Sequence, residues 1–265
     1  MYETKYHRAS SADEAVKLVG SNEDAKYVAG GQTLIPTMKQ RLAAPSDLVD
    51  IRNIAAMKGV KVDGNEVTIG AATTHADVAE APQLRAVCEG ICDLAGHIGD
   101  PAVRHMGTIG GSIANNDPAA DYPAAMLALD ARITTNKRTI AADDFFTGMF
   151  ETALDEDEMI TQISFSAPTK SAYCKFPNPA SRYAMAGVFV AQGDGGVRVA
   201  VTGAGSDGVF RHSGMEEALS ANWSPDAVAG ADVDEGMMLA DIHGNAAYRA
   251  NLVKVMAKRA VAAAG

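Results

Sequence analysis

A chain of 265 residues exceeds the roughly 100 to 200 residues of one ordinary domain, so two domains or a bilobed one are expected. With 47% hydrophobic and 21% charged residues it has the composition of a folded globular protein, which excludes a disordered or fibrous chain. Its 33 acidic against 23 basic side chains leave a net charge of −10, a field that repels nucleic acid and anionic membranes, so neither is an expected partner. No stretch reaches the ~18 to 20 apolar residues needed to span a bilayer, and MYETKYHRASSADEAVKLV at the N-terminus has no apolar run of signal-peptide length. A soluble cytoplasmic chain is the expectation, and three cysteines (Cys88, Cys92 and Cys174) fit a reducing compartment rather than a disulfide framework.

In chain order, Ser11 and Glu14 suggest a capping box ahead of a helix in which Ala12, Ala15, Val16 and Val19 share a face. YVAG predicts a short strand ending directly in Gly30-Gly31. LIPTMKQRL predicts a short helix or turn around Pro36, and Asp47 to Ile51 another strand. GVKVDGNEVTIGAAT reads as two alternating runs joined at Asp63-Gly64-Asn65, a hairpin. A helical region opens at Thr74 or Asp77 and runs to the glycines and Pro101 that break it. DYPAAMLALDARITT predicts a helix passing into a strand, the acidic run Asp155 to Glu158 a solvated turn, and MITQISFS a strand.

APTKS, after Ser166, reads as a linker, and the pattern changes beyond it. MAGVFVAQ and GGVRVAVTG are alternating strands, followed by helices at GMEEALSAN and AAYRANLVKVMAKRAVAAAG. The domain boundary is placed there, giving residues 1–165, subdivided at about 57/58, and residues 166–265.

The chemistry sits in two double-glycine stretches. In AGGQTL (Ala29, Gly30, Gly31, Gln32, Thr33, Leu34) a strand ends on residues without a Cβ, so backbone N–H groups can turn toward a charged oxygen, with Gln32 and Thr33 adding side-chain donors. Alone, this is equally a tight turn. TIGGSIANNDPAAD repeats the arrangement with Thr108, Gly110, Gly111 and Ser112, then the polar Asn115, Asn116 and Asp117. Two such loops are suited to gripping the two phosphates of a dinucleotide. Asp121 is either an acceptor for a ribose hydroxyl or the N-cap of the helix that follows it.

Other signals point elsewhere only weakly. GAGSDG (Gly203 to Gly208) matches a nicotinamide fingerprint after a strand, but too little chain follows, and a loop is the preferred reading. Cys88, Cys92 and His97 lack a fourth metal ligand and read as buried structural residues of an apolar helix. There is no nucleophile elbow, zinc-protease helix or cysteine set for an iron–sulfur cluster.

With AGGQTLIPTMKQRLAAPSDLVDI, IGAATTHADV and IGDPAVRHMGTIGGSIANNDPAADYPAA on the page, essentially the whole chain resembles the FAD-binding medium subunit of molybdenum hydroxylases, the carbon monoxide dehydrogenase and xanthine dehydrogenase type. The resemblance implies an α+β fold: a two-subdomain FAD-binding domain of the vanillyl-alcohol-oxidase/PCMH type, then a C-terminal α+β domain with a small antiparallel sheet and helices. It implies that Ala29 to Leu34 and Thr108 to Ser112 contact the pyrophosphate, that Asp121 binds toward the ribose, and that Ile98 lies near the flavin or adenine. YCKFPNPASRYAMAGV is similar to the stretch that reaches the isoalloxazine ring. There Tyr173 would offer a flat face and Lys175 a positive charge for the reduced ring; the plain alternatives are half-buried packing and a solvated cation.

The resemblance also implies a relay with no catalytic residue and no metal of its own. A molybdenum-cofactor large subunit and a [2Fe–2S] small subunit would feed electrons to FAD here, in a dimer of heterotrimers, for delivery to an external acceptor. A free-standing FAD-dependent oxidoreductase and a flavin-free assembly subunit are the alternatives.

Overall fold

The computed structural model describes residues Met1–Gly265. Near the N-terminus, β1 (Lys5–Arg8), α1 (Ala12–Gly20), β2 (Lys26–Val28), α2 (Leu34–Lys39) and β3 (Asp47–Asp50) build a three-stranded parallel sheet in the order β1-β3-β2. Ser11 caps α1, its Oγ accepting from Glu14 N at 3.2 Å. Glu14, however, reaches back one residue further than a capping box requires, to the backbone N–H and hydroxyl of Ser10. Buried Asp50 closes the C-terminal end of β3 by accepting from Tyr6 Oη and from the Arg52 guanidinium.

The middle of the chain forms a five-stranded antiparallel sheet in the order β4-β5-β10-β6-β7, from β4 (Val60–Asp63), β5 (Glu66–Gly70), β6 (Arg132–Thr135), β7 (Thr139–Ala141) and β10 (Ile160–Ser166). The β4–β5 hairpin turns through Gly64 at φ 59°, a left-handed conformation that glycine adopts freely. Helices connect β5 to β6: α3 (His75–Glu80), α4 (Pro82–Arg85), α5 (Glu89–Gly96), α6 (Pro101–Arg104), α7 (Ile109–Asn115) and α8 (Tyr122–Ala128). The continuous helical region expected from Thr74 onward is thus three helices. Pro82 has no N–H to continue α3 and starts α4 instead, and Cys88, in a non-helical conformation, starts α5. Pro101 likewise opens α6. Between β7 and β10 lie α9 (Ala142–Phe145) and the small hairpin β8 (Phe146–Gly148) and β9 (Glu151–Thr152). Buried Asn116 secures that hairpin by donating to Gly148 O and Glu151 O, both at 2.8 Å.

After Ala167 to Thr169 comes a four-stranded antiparallel sheet, in the order of its strands β11 (Lys170–Pro177), β12 (Ala184–Gly193), β13 (Gly196–Thr202) and β14 (Phe210–Arg211). Helices α10 (Ser213–Ala221) and α11 (Ala246–Ala264) follow. β12 was expected to alternate between buried and exposed positions, yet Ala184 to Ala191 are all buried. The reason is that both faces are covered. Ala186, Val188 and Val190 join α11 in a core with Val253, Met256 and Ala260, while Phe189 and Ala191 join the core of the five-stranded sheet and its helices. Arg198 adds polar links across this junction, to Asp130 at 2.6 Å and Asp143 at 3.0 Å. No helix is long and apolar enough to cross a membrane.

Candidate functional site

The N-terminal sheet, the helices after β5 and one turn of the C-terminal sheet converge on a cavity of about 690 Å³. Of the residues singled out from the sequence, Ala29 to Leu34, Ile98, Thr108, Gly110, Gly111, Ser112, Asn115, Asp117 and Asp121 line it; Tyr173 and Lys175 do not.

The first glycine stretch leaves β2 and enters α2. Gly31 has φ 68°, and Thr33 returns to the right-handed region, so the chain turns sharply between β2 and α2. None of the backbone N–H groups from Gly30 to Leu34 has an acceptor in the protein. Gln32 and Thr33 are exposed and Gly30, Gly31 and Leu34 half-exposed, so these amides stay open to a ligand. Such a run of free amides, with the free hydroxyl of Thr33, is of the kind that can receive anionic oxygen atoms. Gly30 is required for a different reason: a Cβ there would lie 2.2 Å from Met106 O and 2.5 Å from Gly107 Cα, because the two glycine stretches touch backbone to backbone.

The second stretch is a helix, not the loop expected. Thr108 caps α7, its Oγ1 accepting from Gly111 N at 3.2 Å. The first-turn amides are spent inside the protein: Ile109 N donates to Thr73 O and Gly110 N to Ala71 O. Gly110 is an approach point for the chain just after β5, since a Cβ would sit 2.6 Å from Ala71 Cβ. Gly111 differs. It is exposed on the cavity side, and an added Cβ would meet Thr108 Oγ1 at 3.0 Å and Ala29 Cβ at 3.8 Å, in the gap between the two stretches. The side chains of Ser112 and Asn115 make no hydrogen bond in the protein and face the cavity. One oxygen of Asp117 accepts from Ala119 N at 2.9 Å.

Asp121 precedes α8 but makes no cap bond. Its carboxylate turns to β11, accepting from Tyr173 Oη at 2.5 Å and lying 3.0 Å from Lys175 Nζ, with all three side chains buried. Burial pushes the Asp121 carboxyl up, against the opposing pull of Lys175 and then Tyr173. The plain alternatives for the pair, half-buried packing for Tyr173 and a solvated cation for Lys175, do not describe it: both are sealed behind Asp121. From the C-terminal sheet it is instead the β11–β12 turn, Ser181 to Tyr183, that reaches the cavity. Arg182 donates to Gly99 O at 3.4 Å and Arg104 to Ile98 O at 3.0 Å, so the Ile98-Gly99 turn is held from both sides.

The far wall was not foreseen. Lys26, Tyr27, Leu154, Met159 and Ile160 line it, together with Asp155, Glu156 and Glu158 of the acidic run. Glu158 is no solvated residue. Buried, it accepts from Thr135 Oγ1 at 2.6 Å and from Arg138 at 2.9 and 3.0 Å, and the Arg138 guanidinium brings its carboxyl down to about 2. Tyr27 Oη donates to Asp157 O at 2.9 Å and closes this wall onto the first glycine stretch. The only advance signal was the apolar MI ending the acidic run. His75 also lines the cavity, unmarked by any motif.

No cluster of histidine, cysteine and carboxylate side chains can hold a metal, and Cys88 and Cys92 are buried thiols whose burial pushes them up to about 11 and about 12. GAGSDG is a turn-rich loop, not the entry of a helix. A cavity of this size, lined by unpaired amides together with apolar side chains such as Ile98, Leu154 and Ile160, suits an extended ligand that carries phosphates.

Known proteins resemble this chain along its whole length. Residues 2–168 match the model of the FAD binding domain in molybdopterin dehydrogenase. The chain is 35% identical to the carbon monoxide dehydrogenase medium chain of Hydrogenophaga pseudoflava, covering 98% of this chain and 96% of that one. It is 33% identical to the nicotine 6-hydroxylase medium subunit of Paenarthrobacter nicotinovorans, over 98% of this chain and 97% of the relative. Among solved structures it superposes on reconstituted CO dehydrogenase from Oligotropha carboxidovorans with a TM-score of 0.89 at 33% identity, covering 100% of this chain and 99% of that chain.

Proposed function

Because the chain belongs to the family of FAD-binding domains of molybdopterin dehydrogenases, we propose that it is the electron-transfer flavoprotein subunit of a molybdenum hydroxylase complex. FAD is its cofactor and the chain is an oxidoreductase subunit. In the full reading, the molybdenum cofactor sits on a large partner subunit and [2Fe–2S] clusters on a small one, in a cytoplasmic dimer of heterotrimers. When bound, FAD supplies the redox chemistry, taking electrons that arrive from the clusters and passing them to an external acceptor. We further read residues 1–165 as the FAD-binding domain, with subdomains of about 1–57 and 58–165, and residues 166–265 as the C-terminal domain.

The observation that carries this reading is the run of unpaired amides from Gly30 to Leu34, residues that line the cavity. These residues would bind the diphosphate oxygens, with Gly111 leaving room opposite and Ser112 and Asn115 offering side-chain donors. The Ile98-Gly99 turn and Tyr183 would bound one ring system, and Tyr27, Leu154 and Ile160 the other. Asp121, anchored by Tyr173 and Lys175, would orient polar groups between them. The chain's own task is to bind, orient and exclude water.

The test is an absorbance spectrum of the full chain purified with and without co-expressed neighbouring subunits. Flavin bands, with molybdenum and iron co-purifying from the co-expressed complex, are the expected result. A colourless protein that takes up no added FAD would overturn the reading.

A further inference from the structure

One buried polar side chain in the cavity has no partner in the protein. His75, 5% exposed, is the first residue of α3, and the segment it belongs to is bonded along the second glycine stretch: His75 N donates to Gly107 O at 3.0 Å, and Ile109 N to Thr73 O at 3.1 Å. The ring stacks obliquely on Tyr122, with centroids 5.4 Å apart. Its edge lies against the bare backbone of Gly107, where a Cβ would be 2.6 Å from Nε2. Gly107 in turn touches Gly30 on its other side. The imidazole is therefore fixed within one backbone thickness of the unpaired amides.

Neither ring nitrogen has a hydrogen-bond partner. Nδ1 is sealed from solvent; Nε2 is not. A neutral imidazole carries one donor and one acceptor, and a sealed N–H without an acceptor is the rarer orphan, so the proton belongs on Nε2. Burial, with the nearby Arg104 charge, holds the group down at about 4, and the ring is neutral in ordinary conditions. The protein thus keeps a rigid N–H donor in its cofactor cavity with no acceptor of its own to meet it.

Building on the FAD-binding reading, we infer that His75 is a cofactor-binding residue whose Nε2–H donates to an oxygen in the ribityl–diphosphate stretch of FAD. It also accounts for Gly107, which no phosphate contact requires: any side chain there would displace the ring.

The experiment uses the full chain, freed of flavin and titrated with FAD and separately with ADP. His75→Leu, which keeps bulk and removes the donor, is expected to weaken FAD binding by about tenfold, the worth of one lost hydrogen bond. His75→Gln, which restores a donor near Nε2, stays within about threefold of wild type. Without cofactor, His75→Leu should unfold no more easily than wild type, because it also removes a sealed unpaired nitrogen; a merely structural histidine would show the opposite. A parallel loss with ADP places the acceptor on the diphosphate, and a loss with FAD alone places it on the ribityl chain. In wild type, the His75 Nε2 nitrogen resonance should show the protonated tautomer and shift as FAD is added. Wild type that binds FAD while His75→Leu binds it equally, or a resonance unmoved at saturation, overturns this inference alone. Wild type that binds no FAD overturns the function proposed above as well.

Discussion

Gly111→Val separates cofactor binding from folding more cleanly than any other change in the glycine stretches. Position 111 is in the first turn of α7, with helical backbone and an exposed face. Valine costs the helix slightly less than glycine does, and the tight approach to Thr108 Oγ1 at 3.0 Å needs a shift of only a few tenths of an ångström. The net change in stability should stay within about 1 kcal/mol. The new methyl groups, however, enter the gap facing Ala29, where a diphosphate must lie to reach the amides of Gly30 to Leu34. Hydrogen bonds to a charged group contribute roughly 1.5–3 kcal/mol each, so loss of two weakens binding by about two to four powers of ten. Flavin fluorescence titration of the cofactor-free protein reads the affinity, and a thermal melt of the same sample reads the fold. Normal melting with FAD affinity within threefold of wild type would refute the placement of the diphosphate. Gly31→Val is a poorer test, because φ 68° and a 2.9 Å approach to Ile35 Cγ1 damage the backbone first.

Lys175→Met leaves the buried Asp121 carboxylate with only Tyr173, and breaking a buried pair in this way costs about 3–5 kcal/mol. Denaturant unfolding should show that loss, and a change below about 1 kcal/mol would mean that the pair is not sealed as described. Glu158 titrates at about 2 in the folded chain against 4.5 for an unperturbed glutamate, so its contribution is fully present above about 4.5 and disappears as the pH falls toward 2. Stability measured across that window should therefore fall more steeply in wild type than in Glu158→Gln. Parallel curves would contradict the Arg138 pairing.

Local patterns were enough to place most elements. The strand ending on Gly30-Gly31, the hairpin at Gly64, the cap at Ser11 and the long helix α11 each depend on residues within a few positions of one another, where backbone conformation and capping are decided. The glycine stretches and their flanks also carried the family resemblance, and with it FAD. What remained hidden depends on segments distant in sequence. The amides of Ile109 and Gly110 look free until Thr73 and Ala71 fold against them, whereas those of Gly30 to Leu34 stay free because nothing does. β12 reads as alternating until a second core covers its other face, and Glu158 as solvated until Arg138 and Thr135 close over it. Tyr173 and Lys175 look available for a ring until Asp121 takes both, and His75 carries no motif because what matters is its missing partner. The sequence alone determined which backbone stretches lack side chains and so can approach a phosphate. Only the tertiary structure decided which of their hydrogen bonds are left over for a ligand, because a donor is free or spent according to what packs against it from elsewhere in the chain.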